Sequence, residues 1–451
     1  MSEESYLFYQ SRNPRPFLDR GEGIYLFDEN GKRYIDGSSG AMVSNIGHSN
    51  PRVLDKIKAQ MDRATFGYRL HFRTHPSEDL AAKTIAMTPD GLDRVFFVSG
   101  GSEAVESAVK LARQYAVTQG EAGRYKVISR FPSYHGCTFG ALDLTGYEPL
   151  REPFAPMLEG MPKIAAPTTY LDRDNLSEDA RGLNYADLLR DKILAEGPDT
   201  VLAFLMEPVG GASTGALVAP DSYYARIREI CDEFDVLLIY DEVMTGAGRT
   251  GKFLAAEHWG ITPDIVALSK GFGAGYAPLG AIVASAHLVE PILDAGGFAH
   301  GFTYAGNPLA CAAGLAVLEE LEDQNLIANA AAMGEVLIGE LRALMDRYPF
   351  IGDVRGKGLL TAFEFVADRA TMEPLDPALN AYDRLVELAY ERGLIIYSRR
   401  TRGGKVGDHF LVAPPLIITR AQISEMMTIL RDALDAFATE AGLGLAEEIC
   451  A

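Results

Sequence analysis

Short apolar runs that end on, or just before, a polar or charged residue recur through the chain, at 95–98, 126–129, 201–206, 236–240, 265–269 and 279–285. They are rich in valine, isoleucine and leucine and too short for helices, which predicts strands buried on both faces. Between several of them the apolar spacing changes. In 102–117, Val105, Ala108, Val109 and Ala112 fall on one side of a helix, and 222–234 is a second such stretch. Buried strands alternating with amphipathic helices predict an α/β fold, a mostly parallel sheet flanked by helices.

From about residue 307 the pattern turns helical and runs to 324, with amphipathic helices near 329–346 and 381–392 and a long final helix over 420–439. Between them, 358–365 and 394–398 read as strands of a second, smaller unit. The stretch 23–36, with its Asp28-Glu-Asn-Gly-Lys32 turn, predicts a hairpin. A glycine-rich segment at 271–280 interrupts the pattern, which suits either a ligand pocket or a tight crossover.

Two charged residues close adjacent apolar runs: Lys270 ends Asp264-Ile-Val-Ala-Leu-Ser-Lys270, and Asp241 ends Val236-Leu-Leu-Ile-Tyr-Asp241. Open α/β sheets bind ligands at the carboxyl ends of their strands. A lysine and a carboxylate there suit a Schiff base to pyridoxal phosphate, with the carboxylate holding the pyridine nitrogen protonated. A strand-end ion pair at the surface is the competing reading for either residue alone.

The phosphate of such a cofactor needs a cradle. Val98-Ser99-Gly100-Gly101-Ser102 passes from strand to helix, where unpaired backbone N–H groups and the helix dipole favour an anion. Ser99 and Ser102 add hydroxyls, although such a turn can equally be just a good N-cap. Tyr134, in Phe131-Pro-Ser-Tyr134-His135-Gly136, is placed to stack on a pyridine ring or to serve as an ordinary loop tyrosine.

Composition narrows the class. The 451 residues are 47% hydrophobic and 23% charged, values of a globular protein long enough for two unequal domains. A net charge of −20 argues against nucleic acid or an anionic membrane as partner. Cys137, Cys231, Cys311 and Cys450 show neither a paired spacing nor a metal-ligand pattern. No signal peptide or membrane-length apolar run is visible, so a reducing, cytoplasmic setting is expected.

The ordered motifs resemble the class III aminotransferases of the fold-type I pyridoxal-phosphate superfamily, close to the ω-amino acid/amine:pyruvate group. They are Gly31-Lys-Arg-Tyr-Ile-Asp36, Gly47-His48, Ser99-Gly-Gly-Ser-Glu-Ala104, Tyr134-His-Gly136, Glu207-Pro208, Asp241-Glu-Val243 and Gly246-Ala-Gly-Arg-Thr-Gly251. Ser269-Lys-Gly271, Gly301-Phe-Thr-Tyr304, Gly306-Asn-Pro308 and Arg355-Gly-Lys-Gly358 complete the series, which extends from about residue 25 to residue 420.

The resemblance implies a large cofactor domain over 61–309 and a small α+β domain built from both chain ends, 1–60 and 310–451. Lys270 would carry the cofactor and move the substrate proton, and Asp241 would face the pyridine nitrogen. Val243, taken as two residues further along the same strand, would lie under the ring, and Tyr134 would lie over it. Ser99, Gly100, Gly101 and Ser102 would hold the phosphate, and His135 and Glu207 would flank the site. Thr303 would reach the phosphate of a neighbouring subunit, making the protein a homodimer or a pair of dimers. The activity implied is transfer of an amino group from an ω-amino acid or primary amine to a small α-keto acid, pyruvate first. An aminomutase or decarboxylase on the same scaffold, or a non-catalytic cofactor-binding regulator, is the alternative.

Relatives bind the acceptor carboxylate with an arginine in the loop before a Pro-Pro strand. Here that region reads Tyr397-Ser-Arg399-Arg400-Thr-Arg402-Gly-Gly-Lys405-Val-Gly-Asp-His409, ahead of Ala413-Pro-Pro-Leu416. No arginine falls at the usual distance before Gly407-Asp-His409. Arg402 is the first candidate, with Arg399 or Arg400 second, and solvated surface charges are the alternative. Met42, Phe66 and Tyr68 occupy stretches that line the substrate pocket in relatives.

Overall fold

The computed structural model describes residues 6–10 and 15–446. Cys450 lies outside them. A seven-stranded sheet forms the centre, in the order Arg94–Val98, Gly280–Ala284, Ile265–Leu268, Leu237–Asp241, Val201–Met206, Lys126–Phe131, Lys163–Ala165. Gly280–Ala284 pairs antiparallel with both of its neighbours, and the remaining pairs are parallel.

Alternate residues of the central strands enter different cores. Leu238 and Tyr240, like Val266 and Leu268, pack with Tyr223, Tyr224 and Ile227 of the helix Asp221–Phe234. Ile239, Ile265 and Ala267 face the other way, onto Val105, Ala108 and Leu111 of the helix Gly101–Thr118. Two buried faces explain why these strands are continuous apolar runs rather than alternating ones.

Two smaller sheets lie outside the centre. One takes Leu18–Glu22, Tyr25–Asp28 and Arg33–Asp36 and adds Leu394–Ile395, with Leu394 opposite Ile35, so the two ends of the chain meet in one sheet. The expected hairpin at 23–36 is therefore part of a larger sheet. In its turn the Asp28 carboxylate accepts the N–H groups of Asn30 and Lys32, at 2.9 Å each. The other sheet runs Ile351–Lys357, Leu360–Phe365, Val406–Val412, Tyr397–Arg402. The arginine-bearing segment expected as a loop is thus half of a hairpin, turning through Gly403 and Gly404, both at positive φ.

Candidate active site

Four neighbouring strands of the central sheet deliver their next residues to one edge. Lys126–Phe131 leads to His135, Val201–Met206 to Glu207, Leu237–Asp241 ends on Asp241, and Ile265–Leu268 leads to Lys270. These four side chains line one inner cavity of about 160 Å³.

Lys270 sits just past its strand in the left-handed region, at φ 46°. An L-residue adopts that conformation only when its surroundings hold it there. The following residue has to be glycine, because a Cβ on Gly271 would come within 2.2 Å of the Asn45 amide. Burial pulls the Lys270 ammonium down to about 8, against the opposing pull of the Asp241 and Glu207 carboxylates.

Asp241 is held on both oxygens. One accepts the Val243 N–H at 3.1 Å, and the other lies 2.8 Å from His135 Nδ1. His135 is buried and its Nε2 has no hydrogen-bond partner. Val243 faces the cavity from the turn after the strand, which ends at Asp241, so the expected continuation of the strand through Val243 does not occur.

The expected anion cradle stands at a helix start. The helix Gly101–Thr118 has no side-chain cap, and Gly101 and Ser102 line the cavity. A Cβ on Gly101 would come within 2.9 Å of Val243 Cγ1, and one on Gly136 within 2.6 Å of Ser102 Oγ. These glycines keep the space between turn and helix open. Ser99 and Gly100 are not among the residues that line this cavity. The Ser99 N–H is already donated to the Glu103 carboxylate at 2.7 Å.

Glu207 is buried, and burial raises its carboxyl above the usual range. One oxygen accepts the Gly211 N–H at 3.2 Å, and the other has no hydrogen-bond partner, with Arg130 Nη2 3.6 Å away. The Arg130 guanidinium is itself spent on the Glu207 carbonyl, at 2.5 Å.

An outer cavity of about 750 Å³ opens from the same lysine, bounded by Met42, Tyr134, Tyr147, Met244, Tyr397 and Arg399 among others. Met42 is buried there at φ 57°, in a segment that also holds Ser39 and Gly40 at positive φ. Arg249 and Asp36 fix this segment: Arg249 Nη2 donates to Ser39 Oγ at 3.0 Å, and the Gly40 N–H goes to Asp36 at 2.8 Å.

Strand geometry separates the three candidate arginines. Along Tyr397–Arg402 alternate side chains share a face. Tyr397 and Arg399 point to the cavity, with the Arg399 guanidinium 4.7 Å from the Tyr397 ring centre. Arg400 and Arg402 point away. Arg400 pairs with Asp408 at 2.7 Å, and Arg402 is bound to the Met372 carbonyl.

Phe66, Tyr68 and Thr303 do not line either cavity of their own chain. The segments that carry them meet elsewhere. Phe66 packs edge-on against Tyr304 with ring centres 5.9 Å apart, and Arg69 donates to the Phe302 carbonyl at 2.9 Å.

The inner cavity fits pyridoxal phosphate. Its lining brings together a buried lysine, an anchored carboxylate, Val243, Tyr134 and an uncapped helix start, a set of groups whose chemistry suits that cofactor. A family model, Aminotransferase class-III, matches residues 8–434. The chain belongs to the class-III aminotransferases.

The aminotransferase is 40% identical to the uncharacterised aminotransferase YodT of Bacillus subtilis, over 93% of this chain and 95% of that one. It is 34% identical to the putrescine–pyruvate aminotransferase of Pseudomonas aeruginosa, over 93% and 90% of the two chains. Among solved structures it resembles the (S)-enantioselective ω-transaminase of Thermomicrobium roseum, with a TM-score of 0.90, 36% identity and 96% of each chain covered. An amine transaminase from an uncultivated Pseudomonas species, with pyridoxal phosphate bound, gives a TM-score of 0.89 at 36% identity, covering 96% and 99% of the two chains. The cofactor of the aminotransferase is pyridoxal phosphate.

Several residues around the site escape a reading of the sequence. Arg130 is a buried arginine that nothing in the local pattern separates from a surface charge, and Arg249 is buried inside the Gly246–Gly251 motif without a role read for it. Tyr397 had a usable signal, since it stands two residues before Arg399 and shares its face. Cys137, next to Gly136, lines the outer cavity as well.

Proposed function

We propose that the protein is an amine or ω-amino acid transaminase that delivers the amino group to a small α-keto acid, pyruvate first. The carrying observation is the meeting of Lys270 and Asp241, from neighbouring strands, in one cavity. The names of two similar proteins, a putrescine–pyruvate aminotransferase and an ω-transaminase, support the substrate class.

The bound cofactor supplies an electron-accepting ring and a carbonyl that stores the amino group between two half-reactions. Lys270 Nζ would hold it and would take the proton from the substrate Cα. An amine pulled down to about 8 gives up its own proton more readily than a solvent-exposed lysine. Asp241, fixed by His135 and the Val243 N–H, keeps its charge on the pyridine nitrogen. Val243 and Tyr134 confine the ring, and Gly101 and Ser102 bind the phosphate. Glu207 and His135 flank the ring, and Arg399 takes the acceptor carboxylate, because no carboxylate of the described residues pairs with it.

The same reading makes the protein a cytoplasmic homodimer. Thr303 is exposed and lies beside the Phe66 and Tyr68 segment, away from its own cavity, which suits a loop that completes the site of a neighbouring subunit. No helix among the described residues is long and apolar enough to cross a membrane, and Cys137, Cys231 and Cys311 are free thiols.

A panel of amine donors against pyruvate, 2-oxoglutarate and glyoxylate, with products identified, tests the proposal. Conversion of an amine to its carbonyl compound with stoichiometric alanine from pyruvate is expected. Carbon dioxide release or amine migration without an acceptor contradicts it.

A further inference from the structure

The motif Gly246–Gly251 encloses a charge that the reaction as described leaves unused. Arg249 is fully buried, and no carboxylate of the described residues touches it. Its guanidinium is met by neutral oxygens instead. Nη1 donates to the Leu359 carbonyl at 3.2 Å and to the Pro414 carbonyl at 2.5 Å. Nη2 donates to Ser39 Oγ at 3.0 Å and to Asn45 Oδ1 at 2.7 Å, and Nε has no partner. Asp36, the acid that acts on it, is bonded to His48 and the Gly40 N–H. Burial pulls the guanidinium down to about 9, so it remains a cation at neutral pH. A buried cation without a contacting carboxylate is costly, and an apolar side chain would fill the space more cheaply.

Two routes lead from this guanidinium to Lys270. One runs through Asn45. Its Oδ1 takes the Arg249 N–H, its Nδ2 donates to the Ala247 carbonyl at 2.8 Å, and its amide packs against Gly271, where an added Cβ would meet Nδ2 at 2.2 Å. Lys270, one residue earlier, is the position held at φ 46°. The other route is charge. The guanidinium acts together with burial against the Lys270 ammonium, while Asp241 and Glu207 favour it. A neighbouring cation is one way to free a lysine amine for chemistry.

Resting on the reading that Lys270 carries the cofactor and moves the proton, we infer that Arg249 and Asn45 are positioning residues for that lysine. Arg249 is the buried cation behind its turn, and Asn45 is the strut that fixes the turn against the motif. The other titratable or charged groups around Lys270 are Asp241, Glu207, His135 and Tyr134 in the inner cavity, with Cys137, Tyr147, Tyr397 and Arg399 in the outer one. A change at Arg249 removes none of these.

The pH dependence of the holoenzyme's visible cofactor band reads the protonation of the nitrogen that Lys270 contributes. Arg249→Met should move the midpoint up by roughly one pH unit, and Arg249→Lys, which keeps the charge, should leave it within about 0.3 of wild type. With a primary amine and pyruvate, kcat near neutral pH should fall about tenfold in Arg249→Met and recover in alkali, with the pyruvate KM within about threefold. Asn45→Ala keeps the cation and removes the strut. Its midpoint should stay within about 0.3 pH unit, while the band loses circular dichroism and kcat falls about tenfold or more at every pH. An Arg249→Met midpoint within about 0.3 pH unit of wild type, or an equal rise in Arg249→Lys, overturns the inference. Unchanged dichroism and kcat in Asn45→Ala overturn it as well, and that small truncation decides the matter if Arg249→Met does not fold. Lys270→Ala, titrated alongside, should show no such transition. If it shows one, the lysine reading fails and this inference with it. If it shows none and the other variants match wild type, the reading stands and the inference alone fails.

Discussion

His135 Nδ1 lies 2.8 Å from the Asp241 carboxylate, and both residues are buried at the ends of strands two places apart in the sheet. The imidazole therefore holds the carboxylate at the bottom of the cavity, and the Val243 N–H fixes its other oxygen. With these two donors, the charge of Asp241 is oriented before any ligand arrives.

Asp241→Asn keeps the shape and removes the charge, so kcat should fall about a hundredfold or more while the fold persists. His135→Ala leaves the charge and removes one anchor, so a smaller loss is expected, together with weaker cofactor retention on dialysis. Steady-state kinetics and cofactor absorbance on both variants check this. An Asp241→Asn enzyme with cofactor bound and near wild-type kcat contradicts it.

The two arginine faces of Tyr397–Arg402 make opposite forecasts. Arg399→Ala should raise the pyruvate KM by roughly ten- to a hundredfold, the worth of about 1.5–3 kcal/mol for a charged hydrogen bond. It should leave KM for a carboxylate-free amine within about threefold. Arg402→Ala, which loses only a contact to the Met372 carbonyl, should leave both constants nearly unchanged. The reverse ranking would return the acceptor role to Arg402.

His409 ties the C-terminal sheet to the cavity. Its Nε2 donates to the Ala212 carbonyl at 2.9 Å, and Ala212 lines both cavities. Burial, reinforced by the Arg355 guanidinium, holds the imidazole down at about 3. Between that value and the ordinary one near 6.5, the unfolded chain binds a proton that the folded chain refuses. Stability should therefore be lost as pH falls from about 6.5 towards 3. His409→Gln, which keeps a donor towards Ala212, should flatten that part of the acid limb in a plot of Tm against pH. An unchanged limb contradicts the assignment.

Much of the catalytic edge was legible because its chemistry stands at strand ends, where buried apolar runs stop on Asp241 and Lys270. The choice among arginines was not. Tyr-Ser-Arg-Arg-Thr-Arg has no apolar alternation, so its strand beyond Ser398 and its two faces are invisible until it pairs with Val406–Val412. Leu18–Glu22 escaped for a related reason, being largely exposed, and Lys163–Ala165 is only three residues long. In the cradle, the sequence does not show that Glu103, one helical turn later, takes the Ser99 N–H.

The central claim is that Lys270, at the head of this cavity, carries the cofactor. Borohydride reduction of the holoprotein followed by peptide mass mapping tests it most directly. A pyridoxyl adduct on the peptide containing Lys270, absent from Lys270→Ala together with all turnover, is the predicted result. An adduct on any other lysine, or full activity in Lys270→Ala, would contradict the account.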